Sequence, residues 1–322
     1  MKKTTQREEN PFPFSDTNKR YHTFDYYLKK RFGGKCAKIS LDAGFTCPNI
    51  DGTVGYGGCI YCSGGSSGAQ CVGSLREQYD AGIAAAKRKW NCERFIPYLQ
   101  AHTNTYGDIA TLERVYDEAQ NMPGAVMLAI ATRADCLPEE TVELLKKTSE
   151  KIPLLVELGL QSANDRTAEL VGRGHDFSAF TEGYNRLKCA GGDISVCVHL
   201  INGLPEETKE DMLESAERVA LLRPHMVKIH LLHVLRNTRL GEMYEKGEYE
   251  PMTEEEYINI TAAQIERFHP ETVIARVTGD GMAEELVAPL WSLRKTAVSN
   301  GIDKRLYAEN TCQGADFQCK YS

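Results

Sequence analysis

The chain has 322 residues, 42% of them hydrophobic and 26% charged, enough for one large domain with a substantial core and ordinary for a globular protein. A formal net charge of -7 argues against blanket attraction to nucleic acid, although local basic patches remain compatible with it. No run approaches the roughly 20 apolar residues of a bilayer span, and MKKTTQREENPFPFSDTNKR lacks the apolar centre of a secretory signal, so no membrane association and a cytoplasmic location are expected.

The first 35 residues read as a basic and aromatic arm. From Lys19 to Lys38 there are seven basic residues against one acidic, Asp25, interleaved with Tyr21, Phe24, Tyr26, Tyr27 and Phe32. That composition suits a surface that grips phosphates and stacks on bases, with Lys29, Lys30 and Arg31 as its centre. The plainer reading is an amphipathic helix packed on the rest of the fold with a solvated basic face. The run KRK at 87–89 and the pairs Arg294–Lys295 and Lys304–Arg305 would extend a basic surface.

Apolar runs then alternate with amphipathic ones. AKISL (37–41), FIPYLQA (95–101), VMLAIAT (126–132), LLVELGL (154–160), ISVCVHLI (194–201) and MVKIHLLH (226–233) predict strands, and helical patterns fill the intervals. Near-continuous apolar strands alternating with helices predict a parallel sheet covered on both faces. Six such units predict an α/β fold, a complete or partial βα barrel over 36–236, with a doubly wound sheet as the alternative. After 237 the rhythm changes to an α/β extension: a helix over 253–268 opened by a Thr253/Glu256 capping box, a possible strand VIARV (273–277), a TGDG turn and a helical tail.

The chemistry is concentrated directly after the first strand, in TCPNIDGTVGYGGCIYC. Cys47, Cys59 and Cys62 share a glycine-rich loop with C-x11-C-x2-C spacing. Loops after strands build the active face of a βα barrel. Structural zinc takes four protein ligands, catalytic zinc takes three, and a [4Fe–4S] cluster held by three cysteines keeps one iron open. A zinc-dependent nucleic-acid-binding protein and an iron–sulfur redox sensor are therefore competing readings. Cys136, Cys189 and Cys197 read as small core residues, and Cys71, Cys92, Cys312 and Cys319 as incidental thiols.

This loop resembles the cluster loop of radical S-adenosylmethionine (SAM) enzymes, in its longer TCPN-x-DGT-x-G-x-GGC-x-x-C form typical of the YtqA/YhcC-type subfamily. The resemblance continues through KISLDAGFTCPN, YLQAHTNTYG, ELGLQSANDRT, GRGHDF, HLINGLPEET and RVTGDG with APLWS. GLQS followed by RGH also resembles the catalytic subunit of Elongator-type tRNA enzymes, which act on wobble uridines. The resemblance implies a [4Fe–4S] cluster on Cys47, Cys59 and Cys62, SAM on the open iron, and a donor of electrons such as flavodoxin or ferredoxin. The ending resembles the MnmL branch, for which removal of the carboxymethyl group from 5-carboxymethylaminomethyl-uridine of tRNA is implied, followed by a separate SAM-dependent methyltransferase.

It also implies a SAM site. Tyr61 would pack near the adenine, and Gln100, His102, Thr103 and Asn104 follow the second strand where the amine-binding loop lies. Thr132 and Arg133 close the third strand. Glu157 and Gln161 bracket the fourth, where a carboxylate among apolar residues needs a partner or a cavity. Ser162 and Arg173 match positions that hold the SAM carboxylate and ribose. His199 and Asn202 end the fifth strand; His230 and His233, on the sixth, read more readily as core. For a substrate carboxylate, Arg276 and then Arg236 are the expected partners.

Overall fold

The structure, a computed structural model, describes residues 10–63, 72–279 and 284–317, so Cys71 and Cys319 lie outside the described residues. Nine strands and ten α-helices follow in chain order: α1 (Phe24–Phe32), β1 (Cys36–Leu41), α2 (Leu75–Trp90), β2 (Arg94–Leu99), α3 (Ile109–Gln120), β3 (Leu128–Thr132), α4 (Glu139–Ser149), β4 (Leu154–Gln161), α5 (Asp165–Leu170), α6 (Phe177–Cys189), β5 (Ile194–Asn202), α7 (Lys209–Leu221), β6 (Met226–Leu231), β7 (Val234–Leu235), α8 (Arg239–Glu245), α9 (Glu254–Arg267), β8 (Val273–Arg276), β9 (Leu286–Ala288) and α10 (Lys295–Ala308) among the described residues. Most of the helices start where a side chain caps them, α4 and α10 being the exceptions. Ser74 with Glu77, Thr208 with Asp211 and Thr253 with Glu256 form capping boxes.

Seven strands pair in the order β1-β2-β3-β4-β5-β6-β8, every pair parallel. This is the expected partial βα barrel with seven strands in place of six. The seventh, VIAR, is four residues long and joins β6 through an irregular register, Val227 facing Ile274 and Lys228 facing Arg276. So short a run carries little periodicity of its own.

The two edges, β1 and β8, are linked by the N-terminal segment. The Ile274 amide donates to the His22 carbonyl at 2.7 Å, and Thr23 bridges Ile274 in parallel. From there α1, capped by Thr23 and ended by Gly33 in the left-handed region at φ 72°, runs back to β1. Leu28 is buried with Ile96, Met127, Leu155, Met226 and Val273, while Phe24, Tyr27 and Phe32 pack around them. The apolar side of α1 thus forms a floor under the strands' N-terminal ends, worth roughly 2 kcal/mol for a leucine such as Leu28. Among the described residues no helix is long and apolar enough to cross a membrane.

Candidate active site

The cysteine loop is fixed at the strands' C-terminal ends, opposite that floor. Its first turn closes where the Ile50 amide donates to the Cys47 carbonyl at 2.8 Å, and its last where the Cys62 amide donates to the Cys59 carbonyl at 3.0 Å. Asn49 Nδ2 donates to the Gly172 carbonyl at 2.5 Å, and the Ile60 amide to the Val171 carbonyl at 3.0 Å. Gly57 and Gly58 hold φ of 75° and 77°, a region that disfavours side chains. From the C-terminal side, Arg239 Nη2 donates to the Gly58 carbonyl at 2.5 Å, and Ile60 packs with Val171, Leu232, Val234 and Leu240.

Cys59 is buried, Cys47 partly so, and Cys62 exposed. The Cys62 thiol hydrogen-bonds Cys59 and draws it well below the ordinary thiol range, with Arg173 and Arg133 pulling the same way; the proton stays with Cys62, which is pushed up. Arg133 also feels the charge of Cys47. Among the described residues no three of His, Cys, Asp and Glu gather around a single metal ion. A cuboidal cluster asks for something different, a thiolate on each of three separate irons. Three thiols under the field of two guanidiniums fit such an anionic group.

Arg173 is buried with Nε lacking any hydrogen-bond partner among the described residues, while its Nη2 donates to the Gly159 carbonyl. Arg133 positions it: Nε and Nη2 fork onto Asp135 at 2.9 and 2.7 Å, and Nη1 donates to the Arg173 carbonyl at 2.9 Å. A buried donor of that kind is costly until an acceptor arrives. A Cβ on Gly159 would stand 2.6 Å from Gln161 Nε2 and 3.2 Å from Arg173 Nη2, so only glycine leaves both in place.

The other expected SAM residues divide. Tyr61 is partly buried, with its hydroxyl beside the Cys59 thiol. Gln100 receives its backbone bond from Leu41, its amide donating to that carbonyl at 3.3 Å, and the Thr103 amide donates to the Thr46 carbonyl at 3.1 Å, tying the two loops together. Gln161 sits at φ 78°, a strained conformation for a residue with a side chain. By contrast, Asn104 Nδ2 is committed to the carbonyls of Leu99, Ala101 and Ala131, and Thr132 Oγ1 to Thr105 at 2.5 Å; Asn104 Oδ1 is buried without a hydrogen-bond partner among the described residues. Ser162 donates to Glu207, in the turn before α7, and its oxygen accepts from the amide of Asn164, the N-cap of α5, at 3.0 Å.

Below the mouth lies a charged layer. Glu157, fully buried on β4, accepts from Lys38 of β1 and Lys228 of β6, from Tyr98 Oη of β2 at 2.6 Å, and contacts His199 Nε2 of β5 at 3.1 Å. Burial opposes its charge, but the two lysines hold its carboxyl well below the usual range. Burial and Lys228 push His199 down to about 4, so it is neutral at neutral pH. Lys38 is pushed down to about 7 by burial, against the pull of Glu157. Arg276 on β8 extends the layer, its charge felt at Tyr98, Cys197 and His230. Arg236 is exposed, just past β7, with its amide donating to the Glu285 carbonyl at 2.9 Å. Sequence reasoning gave Lys38 only to the basic arm and passed over Lys228. The available signal was a single cation inside each of two apolar strands.

The basic arm occupies the other end of the barrel. Lys29 pairs with Asp25 at 2.7 Å, Arg31 with Asp193 at 2.5 Å and with the Tyr27 hydroxyl at 2.6 Å, and Lys30 lies 5.4 Å over the Tyr26 ring. Strands of six residues separate it from the cysteines by about 20 Å.

A family profile described as the radical SAM superfamily matches residues 54–219, and one described as a radical SAM C-terminal domain matches 224–308. The chain is 42% identical over 314 residues to YtqA of Bacillus subtilis (strain 168), covering 97% of each. It is 33% identical over 165 residues to a tRNA uridine(34) acetyltransferase of Methanocaldococcus jannaschii, over 46% of this chain and 29% of that protein. Among solved structures it is similar in fold to an archaeal Elp3 from Methanocaldococcus infernus, with a TM-score of 0.65, 20% identity, and coverage of 86% of this chain and 64% of the other.

Proposed function

The chain belongs to the radical SAM superfamily, and from that premise we propose that it modifies the wobble uridine of tRNA, converting 5-carboxymethylaminomethyl-uridine to 5-aminomethyl-uridine. Members of the family bind a [4Fe–4S] cluster and SAM, and when bound these supply a 5′-deoxyadenosyl radical through reductive cleavage of SAM. Cys47, Cys59 and Cys62 hold the cluster in this reading. Arg173, locked by Arg133 and carrying the spare Nε, receives the carboxylate or ribose of SAM; Tyr61, Gln100 and Gln161 border the same space.

The observation that carries the tRNA reading is the 165-residue likeness to a protein named for tRNA uridine(34). Because it covers 29% of that relative, it supports a shared uridine and not shared acetyl transfer. An electron donor such as flavodoxin or ferredoxin and a downstream SAM-dependent methyltransferase complete the expected partners. Nucleoside analysis of tRNA from a strain lacking the gene tests the reading. 5-Carboxymethylaminomethyl-uridine should accumulate while 5-aminomethyl-uridine and its methylated product disappear; an unchanged nucleoside profile would overturn it.

A further inference from the structure

Two lysines reach one carboxylate inside the barrel, so a surplus positive charge stands there whenever both are protonated. Among the described residues Glu157 is the carboxylate that both Lys38 and Lys228 reach. The Glu157 side chain is 0% exposed and that of Lys228 8%, whereas Lys38 keeps 21%. The anion is therefore sealed behind its cations, and Lys38 is the most accessible of the three, its Nζ lying 3.8 Å over the Tyr98 ring and 5.9 Å over the Phe24 ring. Tyr98 and His199 occupy further acceptor positions of Glu157 without adding positive charge, His199 being neutral. An uncompensated buried cation is costly, and a fold keeps it readily only if a ligand completes the charge.

We propose that Lys38 and Lys228, backed by Glu157, form the seat for a singly charged carboxylate of the substrate. The seat rests on the substrate reading above for its natural occupant, the carboxymethyl group, and on the geometry alone for its charge. Lys38 stands three residues before the end of β1, roughly 10 Å from the strand end after which the cysteine loop follows. A substrate entering from that mouth would point its acid downward and hold the rest of the modified base near the mouth. Lys38, pushed down to about 7, regains its proton when an anion arrives.

The test uses the cluster-loaded enzyme and two anticodon stem-loops, one with 5-carboxymethylaminomethyl-uridine and one with its carboxamide. The two RNAs share every phosphate, so discrimination between them reports the carboxylate alone. The wild type should show a KM about tenfold or more higher for the carboxamide, and Lys38→Met should bring the two within about twofold. Lys38→Met leaves one ammonium on Glu157, so it should fold with an unchanged melting temperature and iron content; Lys38→Arg should recover part of the discrimination. Wild-type discrimination surviving in both Lys38→Met and Lys228→Met would overturn the seat. Should the wild type turn over neither RNA, the substrate reading fails, and the seat is judged by chemical labelling. Acetate, and not acetamide, should slow acylation of Lys38 read by peptide mass spectrometry, and Lys228→Met should abolish that protection. Equal labelling with and without acetate would remove the seat whatever the substrate.

Discussion

Arg173 shows how much a single side chain can carry. Its guanidinium is buried, lowers the Cys59 thiol and keeps Nε without a hydrogen-bond partner among the described residues, while Gly159 clears the space beside it. Replacing it with alanine should weaken SAM binding by about 10- to 100-fold, the usual loss for a hydrogen bond to a charged group, and leave iron content unchanged. Equilibrium binding and an iron assay on one preparation measure both. Single Cys→Ala changes at Cys47, Cys59 or Cys62 should reverse the pattern and empty the protein of iron, whereas Cys312→Ala should not. The cysteine loop stood out as a candidate site because three thiols in a glycine-rich loop have few other uses. Lys228 did not, since one lysine within MVKIHLLH has no spacing to mark it, and its meaning appears only when β1, β4 and β6 bring Lys38, Glu157 and Lys228 together.

At the scale of elements, the turn after β4 is joined to α7 and the turn before it through Ser162, Glu207 and Ser215. Ser162 Oγ donates to Glu207, also contacts Ser215 Oγ at 3.4 Å, and Ser215 accepts from the Ala163 amide at 3.0 Å. Burial pushes the Glu207 carboxyl up from 4.5 to about 7. Its folded pKa thus lies above its unfolded one, so the folded state binds more protons between those values. Its contribution to stability is present below pH 4.5 and is lost as pH rises through about 7. Glu207→Gln should flatten that part of the stability–pH profile, measured by urea unfolding at a series of pH values; an unchanged slope would show that another group titrates there. The six long strands were readable because each is a continuous apolar run. VIARV was read as a strand of the extension and not of the barrel, for four residues paired through a shifted register give no signal of which sheet they join. The aromatic face of α1 admitted two readings from sequence, and its burial on the inner cluster now accounts for Phe24, Tyr27 and Phe32.

Taken whole, the molecule has a closed floor and a chemically equipped mouth. His22 and Thr23 bind the β8 edge, α1 returns along the floor to the β1 edge, and the opposite end carries the cysteines and the cationic interior. Lys29 and Arg31 pair with carboxylates at the floor, so RNA binding there would have to displace ion pairs at the end opposite the cysteines. In the proposed reading this mouth performs radical SAM chemistry on a tRNA uridine. The most direct measurement is a single-turnover reaction of the anaerobically reconstituted, reduced protein with SAM and tRNA from a strain lacking the gene, followed by mass spectrometry. The wild type should release 5′-deoxyadenosine and convert 5-carboxymethylaminomethyl-uridine to 5-aminomethyl-uridine together, and Cys59→Ala should do neither. SAM cleavage with the tRNA nucleosides unaltered would contradict the account.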